Sequence, residues 1–230
     1  MNQETADLVK NMVRDFLKTG LKSTNKLYAK SSEATVYKRM KGGVESERTV
    51  TPEMKAKRLK SAQVEVQLEL KKIRDSRAKP SGCKTPLAYG ELLCKQGVPI
   101  GNCTEMASLA IFFLRVEPVD CYLAQIADPG DHVFCVVSPS RPMAESISKI
   151  KDEANAWVID PWANIACPAA NYMALLRAKF ETWNAAGKRV AFKNSTEAGW
   201  TSPTESKYQV QTLFSKLQYT AGNEKFPGLS

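Results

Sequence analysis

Cys103 opens an apolar run, CTEMASLAIFFLR, directly after Gly101-Asn102. A cysteine in the first turn of a helix meets backbone N–H groups that lack intrahelical partners. The helix dipole there favours negative charge, so the sulfur is set up to attack as a thiolate. Gly101 lets the chain turn sharply before it. The backbone N–H of Cys103 and the neighbouring Asn102 are rival candidates to hold the oxyanion of an acyl-transfer intermediate. Such a thiol needs a base, and His132 is the only histidine in the 230 residues. The imidazole in turn needs an acceptor to fix its tautomer and steady its charged form, and Asp160, before Pro161-Trp162, is the candidate. Trp162 either walls the site or packs in the core. Singly, each residue has an ordinary role, as a capping turn with an incidental thiol, a polar strand start or a strand-end turn. Their order and the elements that carry them join them into one Cys–His–Asp constellation suited to attack on a carbonyl–nitrogen bond.

The elements that must position these side chains follow from pattern. The run from Cys103 to Arg115 is apolar nearly all round, as a buried helix is. Val119–Ile126 reads as a strand, ADPGD as a turn, His132–Val137 as a second strand and Ala156–Asp160 as a third. A short helix over Leu87–Cys94 ends at Gln96-Gly97. Helix returns after Pro168 to about Ala186, where Gly187 stops it. RVAFK reads as a further strand, and Ser202-Pro203 opens a last helix over Glu205–Leu217. The expected fold class is α+β, a helix followed by antiparallel strands rather than alternating βαβ units.

The N-terminal third differs. Residues 1–80 hold 19 Lys/Arg against 10 Asp/Glu, which accounts for the whole net charge of +9, whereas residues 81–230 are balanced at 14 against 14. Residues 2–19 read as a helix, with Leu8, Met12, Val13, Phe16 and Leu17 at helical spacing, and residues 20–50 as loop or weak structure. Thr51-Pro52-Glu53 reads as the start of a helix to about Lys79, with a narrow stripe of Leu59, Ala62, Val66, Leu70 and Ile73. Pro80-Ser81-Gly82 breaks that helix. The expected organisation is a basic, mainly helical region over 1–80 and a second domain over 81–230. The basic region, its charges spread along the chain, suits a solvated helical surface first, with an acidic partner or an acidic membrane surface as the alternatives. It has no nucleic-acid motif, so nucleic acid is not an expected partner. The six cysteines form no CxxC pair or small secreted framework. Cys121, Cys135 and Cys167 lie in or beside apolar stretches, which points to core thiols and a reducing compartment. One histidine and no CxxC argue against a zinc site, and no cofactor or metal is expected. The N-terminus has no apolar core of a Sec signal, and no run approaches the roughly 20 residues of a membrane span.

The segments GNCTEMASLA, DHVFCVV and WVIDPWAN together resemble the papain-like and transglutaminase-like cysteine enzymes, over roughly residues 82–170. The likeness is greatest to the deamidase and protease domains of bacterial toxins and type III effectors. The resemblance implies a core in which a helix carrying Cys103 packs on an antiparallel sheet carrying His132 and Asp160, with the N-terminal helices as an extension. It also implies a glutamine to help hold the oxyanion, and the nearest candidate is Gln96, one residue further from the nucleophile than the papain pattern. Thr104 stands where papain has a tryptophan. The implied activity is a cysteine hydrolase acting on a protein substrate by deamidation, proteolysis or amine transfer. The implied setting is the cytosol of a host cell reached by signal-less secretion, with residues 1–80 serving substrate docking, localisation or a secretion chaperone. The rival expectation is a non-catalytic interaction module on the same fold.

Overall fold

Short, largely apolar runs separated by turns pair into one antiparallel sheet. The computed structural model describes residues 1–17, 26–27, 35–41, 44–50, 68–75, 83–97, 100–128, 130–193 and 198–226. Its central sheet joins β4 (Cys121–Ile126), β5 (Val133–Val137), β6 (Trp157–Asp160), β7 (Ile165–Pro168) and β10 (Leu217–Ala221) in the order β10-β4-β5-β6-β7. Every neighbouring pair is antiparallel, with Leu123 opposite Cys135 and Cys135 opposite Ile159. The architecture is therefore α+β. All of β5 is buried, which marks a strand covered on both faces.

Helices provide the cover. α4 (Cys103–Phe113) buries every residue except Thr104 and Phe113, as its all-round apolar sequence requires. It packs against β4, β5 and β6 and against α3 (Pro86–Gln96). Side chains alternate faces along a strand, so Phe134 and Asp160 point away from Cys121 and Cys135. Phe134 and Asp160 meet Tyr172 of α5 (Ala169–Ala185), while Cys121 shares a cavity of about 230 Å³ with Ile111 and Leu114 at the α4 end. The sheet thus lies between α4 and α5. The Pro86 start of α3 is capped by Thr85, which accepts from the Ala88 N–H, and Gly97 closes its far end at φ 60°.

α1 (Gln3–Phe16) packs against α4, β6 and β7 and sinks Ala6, Val9 and Val13 into the core, with Leu17 just past its end. Of the expected apolar stripe, Val13 and Leu17 face inward, whereas Leu8 and Met12 are exposed. Gln3 donates from Nε2 to the Ala166 carbonyl of β7 at 2.9 Å, and Arg14 donates from Nη1 to the Pro161 carbonyl at 2.9 Å. A helical segment over 68–75, α2, buries Leu70 and Ile73. The core therefore crosses the boundary expected at residue 80. The helix start at Thr51 and the stripe residues Leu59, Ala62 and Val66 lie outside the described residues.

The described residues within 20–50, a stretch expected as loop or weak structure, form strands instead. They carry β1 (Lys26–Leu27) and a hairpin of β2 (Thr35–Lys41) with β3 (Val44–Val50). Gly42-Gly43, between the two runs, is a tight-hairpin signal, and the register sets Lys38 opposite Glu47. The high polarity of both strands masked it. β7, β9 (Ala198–Thr201) and β10 were likewise not expected, whereas RVAFK forms β8 (Arg189–Lys193), paired with β1 and β9. The last helix, α6 (Ser206–Phe214), stops short of Leu217, which begins β10.

The contact between α3 and α4 depends on Gly90. A Cβ there would lie 2.2 Å from the Ser108 carbonyl oxygen and 2.8 Å from Phe112 Cβ. Gly90→Ala is expected to force the two helices apart and lower stability by roughly 1–3 kcal/mol, read as a lower urea midpoint; an unchanged midpoint would contradict this packing.

Candidate active site

The site begins with the turn into α4. Asn102 occupies the N-cap position in extended conformation, and Glu105, three residues on, accepts its backbone N–H at Oε2 over 2.9 Å. This is the glutamate half of a capping box. Gly101 is needed for space, because a Cβ on it would lie 2.8 Å from Glu105 Cβ. The turn delivers the Cys103 sulfur to the end of the sheet, where it donates to the Asp131 carbonyl at 3.2 Å. Asp131 immediately precedes His132, so the candidate nucleophile and the candidate base lie together.

The β4–β5 turn places His132 just before β5, and Asp160 ends β6 beside it. His132 Nε2 donates to Asp160 Oδ2 at 2.9 Å. The Tyr172 hydroxyl donates to the same oxygen at 2.9 Å and lies 3.3 Å from Nε2, while the Ala163 N–H donates to Oδ1 at 3.0 Å. The carboxylate is thus satisfied on both oxygens. The turn that supplies Ala163 closes with Asn164 in the left-handed region at φ 61° and is held by the bond from Arg14 to the Pro161 carbonyl. With Nε2 taken by Asp160, the nitrogen left for the thiol is Nδ1. It is buried and makes no hydrogen bond among the described residues in this conformation. The Cys103 thiol, held on the carbonyl of the residue before His132, nonetheless lies close enough to favour the charged imidazole.

Aromatic rings fix the imidazole plane. Trp162 lies 4.8 Å from its centroid and Phe134 5.7 Å, and Trp183 braces Trp162 edge-on at 5.0 Å. Trp162 therefore packs directly on the base candidate. Gln96 is exposed on the last turn of α3. Asn102 adjoins the sulfur, with its backbone N–H committed to Glu105.

Burial opposes a charge on His132, but the adjacent Asp160 carboxylate outweighs it by charge and hydrogen bond. With the Cys103 thiol adding to the effect, the imidazole is pushed up to about 10. Burial likewise opposes ionisation of Asp160, yet His132, the Ala163 N–H and Tyr172 together hold its carboxyl below the ordinary value. Among the other thiols, burial raises Cys167 to about 12 and raises Cys83, while Cys135 is raised first by its hydrogen bond with Cys121 and then by burial.

The sequence reading missed Tyr172, Glu105 and Arg74. The Asn102-x-x-Glu105 spacing was a legible signal for Glu105. Tyr172 looks like any core aromatic of an amphipathic helix, and Arg74 is one of 33 Lys/Arg residues. Among the described residues no cluster of His, Cys, Asp and Glu is arranged to hold a metal ion, and no helix is long and apolar enough to cross a membrane. Comparison of the chain with protein-family models, curated proteins and solved structures found no match.

The His132–Asp160 pair has a defined pH signature. The folded state holds the imidazole proton above the ordinary 6.5, so the pair's contribution is complete below pH 6.5 and is lost as pH rises from there toward about 10. Because the folded state also lowers the Asp160 carboxyl from 3.8, its contribution is complete above that value and is lost as pH falls. The decline above pH 6.5 is at most about 1.4 kcal/mol per pH unit. The stability difference between wild type and Asp160→Asn, measured by urea unfolding, is expected to be largest between pH 3.8 and 6.5 and to shrink at higher pH; a difference that grows with pH contradicts the pairing.

Proposed function

We propose that this chain is a cysteine hydrolase that cleaves a carbonyl–nitrogen bond of a protein substrate, with Cys103 as nucleophile, His132 as proton carrier and Asp160 as the group that orients and charges the imidazole. The observation that carries the reading is the bond of the His132 ring to a fully buried Asp160, 2.9 Å from Nε2, beside a Cys103 thiol that donates to the carbonyl of the residue before His132. A base that holds its proton well above neutrality complements a thiolate beside it.

In the proposed reaction the thiolate attacks the carbonyl carbon, and the developing oxyanion meets backbone N–H groups at the start of α4. The C–N bond then breaks as the imidazolium gives its proton to the departing nitrogen. Water, deprotonated by His132, opens the acyl-thioester and returns the free thiol with a carboxylic acid. An amine in place of water would yield a new amide. The helix-on-sheet placement of Cys, His and Asp is consistent with a papain-like core. By that resemblance the preferred form is a bacterial effector that deamidates a glutamine of a host protein in the reducing cytosol, with the basic N-terminal region serving docking or secretion.

One observation favours the rival reading of a non-catalytic module. Cys103 and His132 are each only 3% exposed, so substrate reaches the sulfur only through local opening. Alkylation at about pH 6 separates the two readings: Cys103 is expected to react about tenfold faster than any of the other five thiols, and His132→Ala is expected to abolish that lead. Equal labelling of all six would leave the module. Incubation of candidate substrates with the wild-type protein then identifies the reaction by intact mass. A gain of about one dalton means deamidation, fragments mean proteolysis and a larger adduct means amine transfer, each absent with Cys103→Ala.

A further inference from the structure

We propose that Arg74 is a positioning residue for the nucleophile, acting through Glu105 to keep the first turn of α4 free of uncancelled negative charge, a role that rests on the reading of Cys103 as nucleophile. Glu105 is fully buried two residues after the sulfur. An acidic residue in a first helical turn ordinarily suits the dipole. Beside a sulfur that must become an anion it opposes the chemistry, because like charges disfavour each other's ionised forms.

Arg74 removes that conflict. Its Nε donates to Glu105 Oε1 and its Nη2 to Oε2, both at 2.9 Å, in the two-pronged geometry that suits a carboxylate. The Tyr89 hydroxyl of α3 donates to Oε1 and the Asn102 N–H to Oε2, each at 2.9 Å, so the carboxylate has four donors. Burial works against its ionisation, and Arg74, Asn102 and Tyr89 together still hold it below the ordinary carboxylate range. The Asn102 N–H belongs to the residue leading into Cys103. The carboxylate that Arg74 grips is therefore the anchor of the nucleophile's own turn.

Charged and titratable groups face the sulfur from several elements. His132 and Asp131 precede β5, Asp160 ends β6, Tyr208 lies on α6 and Tyr89 on α3, with Glu105 on the helix itself. Among the described residues, each fully buried carboxylate is paired with a cation, Asp160 with His132 and Glu105 with Arg74. Arg74 comes from α2, anchored by Leu70 and Ile73, so the basic N-terminal third contributes a part to the site.

Three variants test the role through the alkylation rate of Cys103 at about pH 6, normalised to Cys167, which reports general opening. Arg74→Gln leaves the carboxylate uncancelled and is expected to slow Cys103 about tenfold, Glu105→Gln leaves the guanidinium uncancelled and is expected to speed it, and the double variant is expected to lie near wild type. A merely structural role would move both single variants the same way and make the double variant worst, which would overturn the proposal. If Arg74→Gln does not fold with its buried charge unpaired, the other two variants, which bury no lone carboxylate, decide: Glu105→Gln no faster than wild type overturns it. Failure of the catalytic reading is separate, since it would show as wild-type Cys103 reacting no faster than the other thiols.

Discussion

A carboxylate with no exposed surface sits at the end of β6, and the site exists because the fold satisfies it. Taking the Asp160 charge out of water costs several kcal/mol unless donors replace the solvent. The Ala163 N–H, the Tyr172 hydroxyl and the His132 ring are those donors, and each imposes a condition. The β6–β7 turn must close tightly, α5 must lie across β6 and β7, and β5 must begin level with the end of β6. Once those are met, the imidazole has one orientation, and its second nitrogen is left for the sulfur at the end of the sheet.

Glu105 repeats the same physics at the start of α4. It too is fully buried, and its guanidinium partner reaches in from 31 residues earlier in the chain. α1 adds a further hold by fastening the Pro161 carbonyl through Arg14. The N-terminal region is therefore joined to the site by polar bonds at two separate turns as well as by apolar packing.

Much of this was legible from residue order. Gly101-Asn102-Cys103 before an all-apolar run marked the helix start, and the runs around His132 and Asp160 marked neighbouring strands because apolar density and turn residues are strong local signals. The expected loop over 20–50 failed because β2 and β3 are polar, so their alternation carried no hydrophobic contrast. Tyr172 and Arg74 were hidden for a different reason. Their roles come from distant partners, and nothing adjacent in the chain distinguishes them from a core tyrosine or a solvated arginine. Gln96 was suggested by family likeness alone, and α3 ends at Gly97 with that side chain in solvent.

The bond from Gln3 to the Ala166 carbonyl bears on the sheet rather than on the site. β7 is an outer strand of the central sheet, and an outer strand with bare carbonyls and amides invites another chain to add to it. α1 lies against β7, Gln3 occupies one of its acceptors, and Pro168 has no N–H to offer. The helix thereby covers an edge that would otherwise be open to strand addition, and the same turns supply core, because Ala6 and Val9 are buried just after Gln3.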